Sequence, residues 1–256
     1  MNISISCVVI TLNEERNLAR CLQSLYTVAD ELVVVDSFST DKTEEIARSF
    51  GARFMTNKFV GHIEQKNFAK AQATNDYILS LDADEELSAE LIKSILEVKA
   101  NWKSDGYFMN RLSNYCGQWI RHSGWYPDTK MRLFDRRKGQ WKGRNPHDQY
   151  NIDAGNSTSF LKGDILHYTY YTVEEHRRQA EKFANIAAQS HFDAGIRSSY
   201  FMLVVKTVSK FIRNYIIKAG FLDGRNGFII CRITAWETWM KYKKLILLTR
   251  NARRGH

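Results

Sequence analysis

The sequence predicts an α/β fold, with a mostly parallel central sheet flanked by helices and a C-terminal helical extension. Three observations carry this expectation. Short apolar runs alternate with segments of helical period through the first hundred residues. Carboxylates recur where those runs end, at Asp36 and at Asp82 and Asp84. The tail beyond residue 200 mixes apolar and basic residues at helical spacing.

Taken in order, Ile3–Thr11 alternates and then becomes continuously apolar, the pattern of an interior strand. Leu18, Cys21, Leu22 and Leu25 share a helix face, with Asn13 placed as its N-cap. Glu31–Asp36 reads as a second buried strand, and Asp41 with Glu44 forms a capping-box pattern for a helix ending at Gly51. Ala52–Thr56 is a third strand and His62–Ala73 a helix. Tyr77–Leu81 is a fourth strand that runs into DADEE, and Ser88 opens a helix carrying Leu91, Ile92 and Ile95. This rhythm implies parallel strands joined by right-handed crossovers.

From Gly106 to about Asp164 aromatics, Gly and Arg dominate, as in a mixed-sheet extension with long loops. Thr172 and Glu175 then pair as a capping box for a helix. Residues 200–219, stopped by Gly220, and residues 228–248 supply two more helices. We therefore expect a catalytic domain over 1–170, divided into 1–100 and 101–170, and a basic helical extension over 171–256.

Composition narrows the class. Apolar residues make up 44% of the 256, enough for a core and against wholesale disorder. No run approaches the ~20 apolar residues of a spanning helix, and the N-terminus reads as a strand rather than a signal peptide. Cys7, Cys21, Cys116 and Cys231 are scattered without metal spacing, which points to reduced thiols in a cytoplasmic protein. The net charge is +9, yet residues 1–199 carry 25 Lys/Arg against 26 Asp/Glu. Residues 200–256 carry 12 Lys/Arg against only Asp223 and Glu237. Such a tail attracts phosphate-rich partners, either nucleic acid or an anionic membrane leaflet. Nucleic acid is disfavoured because the α/β part is not basic and holds no recognised binding motif. Trp236, Trp239 and Tyr242 beside Lys241, Lys243 and Lys244 repeat an interfacial pairing. The alternative for these helices is packing on the core or on a second subunit, as in a homo-oligomer.

Ligands of open α/β sheets bind beyond the carboxyl ends of strands. Asp82 and Asp84, spaced i, i+2 after a buried strand, suit a hard divalent cation, Mg²⁺ or Mn²⁺, together with a diphosphate. The alternative is an acidic loop that caps the next helix through Glu85, Glu86 and Ser88. Asp36 can accept hydrogen bonds from a base or ribose, and Thr11, Asn13 and Glu14 form a polar turn past the first strand. Together these termini define a nucleotide cleft.

The successive segments VVITLNEERNLARCLQSL, ELVVVDSFSTDKTEEIA and QKNFAKAQATNDYILSLDADEEL resemble the signatures of family 2 glycosyltransferases, in order over residues 3–90. The resemblance implies a GT-A (Rossmann-like) fold, a UDP-sugar or similar donor, a divalent cation and inversion at the anomeric carbon. It places Thr11 and Glu14 along the nucleotide and Asp36 at its base. Asp82 and Asp84 then approach ribose, diphosphate and metal, and Lys66 of QKN faces the same cleft. GWYPDTKMRLF, NPHD, GDILHYTY and KAGFLDGRNGF are similar to the bacterial lipopolysaccharide-core glucosyltransferase branch. That branch implies a lipid-linked or lipopolysaccharide glycan acceptor and a peripheral place on the inner face of the cytoplasmic membrane. The sequence departs from it at one point, with His147-Asp148 where His-Glu is expected.

Inversion by single displacement requires a base across the sugar from the leaving diphosphate, which excludes Asp82 and Asp84. Asp148 is the first candidate, Asp128 the second, and His147 a third that instead can orient its neighbour. Arg132 in MRLF is expected on a strand, its guanidinium toward diphosphate or acceptor phosphate or in a surface ion pair. Trp119, Trp125, Tyr126 and Trp141 are either sugar-stacking or core aromatics. His167 is either a further metal contact or a core histidine. Two competing readings share this pattern, a catalytically silent scaffold and a nucleotidyltransferase that releases pyrophosphate.

Overall fold

The computed structural model describes residues 3–144 and 147–254. The chain forms two compact units, one of residues 1–112 with 128–167, the other of 113–127 with 168–256. The segment 113–127, read from sequence with the 101–170 half, belongs to the second unit.

In the first unit the chain runs β1 (Ile5–Thr11), α1 (Leu18–Leu25), β2 (Glu31–Asp36), α2 (Thr43–Ser49), β3 (Arg53–Thr56), α3 (His62–Gln72) and β4 (Tyr77–Asp82). It continues through β5 (Glu85–Leu87), α4 (Ala89–Ala100) and β6 (Gly106–Tyr115), whose last three residues fall in the second unit. The hairpin strand β7 (Gln118–Ile120) is also in the second unit. The chain then returns with β8 (Asp128–Asp135), β9 (Gly139–Arg144), β10 (His147–Ile152) and β11 (Thr158–Tyr170). The sheet order is β3-β2-β1-β4-β8-β6-β11-β5, while β9 and β10 pair apart from it.

The four strands expected to be parallel are so: β1 lies between β2 and β4, and β2 pairs with β3. The register sets Thr11 opposite Asp36 and Ile10 opposite Asp82, so the polar termini share one edge of the sheet. Strands β8 and β6 join antiparallel, which makes the sheet mixed. Every residue of β1 is buried, because α1 and α4 cover one face and α3 with β9–β10 the other. Cys7, Val9, Leu22, Val34 and Leu79 belong to the first cluster, and Val8, Val33, Ala69 and Phe134 to the second. Alternate residues of each strand thus feed opposite cores, which requires the continuous apolar runs seen in the sequence.

Two helix starts differ from expectation. Asn13 does not cap α1, whose N-cap position is Asn17; it adopts φ 55° and accepts a hydrogen bond from the Thr40 amide. Asp41 and Glu44 form no capping box, since Lys42 occupies the cap position and Glu44 pairs with Arg48. The Asp41 carboxylate instead accepts from the amides of Glu15 and Thr43. In both cases loop-to-loop bonds compete successfully with local caps. Ser88 does cap α4, and Thr172 with Glu175 forms the full capping box.

The second unit is mostly helical: α5 (Val173–Asp193), α6 (Tyr200–Ile212) and α7 (Gly224–Arg254). Helix α6 ends before Gly220, passing into a widened turn over Arg213–Ile217 and a short turn at Gly220–Asp223. Helix α7 is longer than the 228–248 expected. Its first turn packs so closely that a Cβ on Gly227 would strike the Gly220 carbonyl oxygen. One on Gly220 would strike the Asn214 carbonyl oxygen, and Gly224 has φ 61°, which together account for the glycines of KAGFLDGRNGF. Buried Asp223 accepts from the amides of Arg121 and His122, and lies 2.9 Å from Nδ1 of His122. Trp125, Tyr170 and His176 pack around Tyr115, so Trp125 is a core aromatic. All four cysteines are free. Among the described residues no helix is long and apolar enough to cross a membrane.

Candidate functional site

A cleft of about 370 Å³ opens at the carboxyl edge of the parallel strands, within the size range of small-molecule sites. Thr11 at the end of β1 and Glu14 in the loop beyond it, with Asp82 at the end of β4 and Ala83 and Asp84 after it, contribute to its lining. Ser37, Phe59, His62, Gln65 and His167 complete much of the rest.

The two loops that follow β1 and β2 are stitched together. The amide of Asn13 donates to Ser39 Oγ, that of Glu14 to Thr43 Oγ1, and that of Glu15 to Asp41. Asp36, 2% exposed, spends its carboxylate on the amide and hydroxyl of Ser39. The polar turn residues therefore build the rim as well as presenting groups to it. Among the described residues the buried Thr11 hydroxyl has no partner. Burial, reinforced by Asp84 and Asp41, outweighs the Asn17 hydrogen bond and pushes the Glu14 carboxyl up to about 7.

Helix α3 explains each residue of QKN. Gln65 donates to Ser37 Oγ and accepts from Asn57, which braces the rim. Asn67 clamps the backbone of Trp141 through paired bonds. Lys66, 2% exposed, sets its ammonium 2.8 Å from Asp148 and 3.1 Å from Asp82. The same ammonium lies 4.8 Å from the centre of the Trp141 ring, and the Arg132 guanidinium lies 5.5 Å from it.

Arg132 points from β8 to Asp82 at 2.9 Å and Glu85 at 3.0 Å. Burial disfavours charge on Asp82, yet Lys66 and Arg132 outweigh it and hold the carboxyl well below its usual range. Glu85 entered the sequence analysis only in the alternative of a helix-capping acidic loop. It is instead 1% exposed and anchors Arg132, Arg111 and the Asp82 amide. Among the described residues Arg132 Nε and Nη1 have no partner although buried, an uncommon state for a cation. They offer donors to an incoming anion.

Asp84 sits elsewhere in the same turn. Because β5 pairs antiparallel with β11, His167 comes opposite Glu85, and its Nε2 reaches Asp84 Oδ2 at 3.1 Å. Burial raises the Asp84 carboxyl, but the imidazole overcomes this and holds it low. Among the described residues no three His, Cys, Asp or Glu side chains gather as a ready-made metal cage. A carboxylate oxygen and an imidazole nitrogen, in a cleft open to water, fit a cation that takes its other ligands from phosphates and water. Asp82 is the poorer ligand, since two cations already hold it.

Of the base candidates, Asp148 joins the cluster through Lys66. Asp128 meets it only at one remove, through Arg111, which lies 2.7 Å from Asp128 and 3.2 Å from Glu85, while Lys130 holds it at 3.0 Å. Burial works to raise the Asp128 carboxyl, and these cations prevail and lower it. The His147 side chain, like Asn145 and Pro146, lies outside the described residues. Gln65, Glu85 and Arg111 escaped the sequence reading. Gln65 precedes Lys66 directly, and only the tertiary structure shows Arg111 and Arg132 meeting at Glu85.

The profile described as "Glycosyl transferase family 2" matches residues 6–202. An uncharacterized glycosyltransferase of Rickettsia typhi is 30% identical over 97% of this chain and 89% of its own length. The lipopolysaccharide core biosynthesis glycosyltransferase LpsC of Rhizobium meliloti is 26% identical over 93% of each chain. Among solved structures, glucosyl-3-phosphoglycerate synthase from Mycobacterium tuberculosis, in complex with Mn²⁺, UDP and glucosyl-3-phosphoglycerate, superposes with a TM-score of 0.48. It is 18% identical, with 77% of this chain and 82% of that one covered.

Proposed function

This chain belongs to glycosyl transferase family 2, and from that premise we propose that it moves a hexosyl group, with inversion, from a UDP-sugar to a lipid-linked or lipopolysaccharide-core glycan. Membership of the family makes it a nucleotide-sugar glycosyltransferase with an α/β GT-A fold. The observation that carries the finer reading is the cleft edge itself. There buried unpaired donors of Arg132 adjoin Asp82, while Asp84 and His167 stand together.

In this reading Thr11, Asn13, Glu14 and Asp36 form the nucleotide side, and Asp82, Lys66 and Arg132 the diphosphate side. Asp84 and His167 would hold Mg²⁺ or Mn²⁺, which when bound would offset the negative charge of the diphosphate. The acceptor oxygen attacks the anomeric carbon as the bond to the diphosphate breaks. The bonding pair leaves with the diphosphate, and the acceptor's proton passes to a carboxylate. We assign that carboxylate to Asp148 rather than Asp128, because Asp148 meets a lysine that a diphosphate can draw away, whereas Asp128 is clamped by Arg111 and Lys130 together.

The LpsC similarity and the basic tail favour a glycan anchored at the inner face of the cytoplasmic membrane. A panel of nucleotide sugars tests the reading, assayed with Mg²⁺ or Mn²⁺ for release of nucleoside diphosphate. Release of UDP dependent on divalent cation is expected. Release of pyrophosphate, or no turnover with any donor, refutes it.

A further inference from the structure

Helix α6 carries its apolar residues on the wrong side for a core. Phe201, Val205, Val208, Ile212 and Ile216 recur at i, i+4, i+7, i+11 and i+15, one continuous helical face. They are exposed by 80, 43, 51, 46 and 55%, and neighbouring Ile217 by 74%. The helix buries a different face, through Leu203 and, in the turn beyond, Asn214.

An exposed apolar stripe of this length marks a docking surface, and its charges select the occupant. Residues 200–222 contain Lys206, Lys210, Arg213 and Lys218 and no acidic residue. The first acidic side chain after them, Asp223, is buried against His122. A second copy of this chain would bring like charges together around the stripe. An anionic bilayer satisfies both features at once, with apolar side chains in the acyl boundary and basic ones at the headgroups.

We propose that α6 and the turn after it form a monotopic membrane-docking face that inserts the Phe201–Ile217 stripe into an anionic leaflet. The face is argued from the second unit alone and stands whether or not the donor-site assignments hold.

The test is co-sedimentation of the full chain with phosphatidylcholine vesicles, with or without phosphatidylglycerol. Binding is expected only with phosphatidylglycerol and weakens as salt rises. Phe201→Ser/Ile217→Ser and, separately, Lys206→Glu/Arg213→Glu should each weaken it by at least ~10-fold. Both variants should keep the parent's thermal midpoint and UDP affinity. Absence of binding to anionic vesicles, or equal binding to both vesicle types, overturns the proposal. So does a dimer in sedimentation velocity that the Phe201→Ser/Ile217→Ser change dissolves while vesicle binding persists, because the stripe then belongs to a second copy.

Discussion

The ammonium of Lys66 and the carboxylate of Asp148 lie 2.8 Å apart, and the same ammonium touches Asp82. One buried lysine therefore joins the turn after β4 to the β10 strand. In the proposed mechanism a negatively charged diphosphate near Asp82 competes for that lysine and frees Asp148 to accept a proton. Asp148→Asn removes the proton acceptor while keeping a polar group of the same shape. Turnover should fall by about 100-fold or more, while UDP affinity by calorimetry is at least as high as the parent's, since the neutral amide no longer competes as an anion for Lys66. Near-normal turnover would move the base to Asp128.

Lys66→Met leaves Asp82 and Asp148 without the cation between them. Removing one partner of a buried ion pair typically costs about 3–5 kcal/mol, and Arg132, still bonded to Asp82, reduces that here. We expect a loss of about 2–3 kcal/mol in urea unfolding, together with weaker UDP binding. A variant as stable as the parent would show that the bridge is energetically idle.

Asp84 makes its side-chain bond to His167 and is not part of the Lys66–Arg132–Glu85 network. Asp84→Ala should leave the unfolding midpoint nearly unchanged while abolishing the strengthening of UDP binding by Mn²⁺. His167→Ala should reduce the same strengthening. If Mn²⁺ improves UDP affinity equally in parent and variants, the cation lies elsewhere.

His176 provides a pH test of the second unit. Burial pushes its imidazole down to about 4, and its ring stacks on Tyr170 with Nδ1 3.1 Å from the Tyr115 hydroxyl. The folded value lies below the unfolded one of about 6.5, so the unfolded chain binds the extra proton between these values. The stabilising contribution is complete above pH 6.5 and is lost as pH falls toward 4, on the order of 2–3 kcal/mol. His176→Phe keeps the ring and removes the proton site. Its urea stability should therefore decline less than the parent's between pH 7 and pH 4.5, and an identical decline would refute the assignment.

Gly227→Ala places a methyl against the Gly220 carbonyl oxygen and near Asp223 Cβ. Overpacking of this kind costs about 1–3 kcal/mol, so the thermal midpoint should drop by several degrees. An unchanged midpoint would mean that the turn shifts freely.

The parallel half of the fold was legible because its strands are buried on both faces, and apolar runs such as Val33–Val35 announce that directly. Helix starts were legible where the cap was local, as at Ser88 and Thr172. They were misread at Asn13 and Asp41, whose side chains bond to another loop. The DAD turn was visible as spacing, but the different surroundings of its two carboxylates were not. Asp82 received Lys66 and Arg132 from α3 and β8, and Asp84 received His167 from β11.

The chain's own residues thus determined the strand-and-helix rhythm, the carboxylates at the strand ends and the basic tail, since each is a property of neighbours in sequence. Tertiary structure alone decided which cation meets which carboxylate, that Glu85 is a buried anchor, and that the α6 apolar stripe faces outward. Those outcomes depend on strand register and helix rotation, which bring together groups dozens of residues apart and which no local pattern encodes.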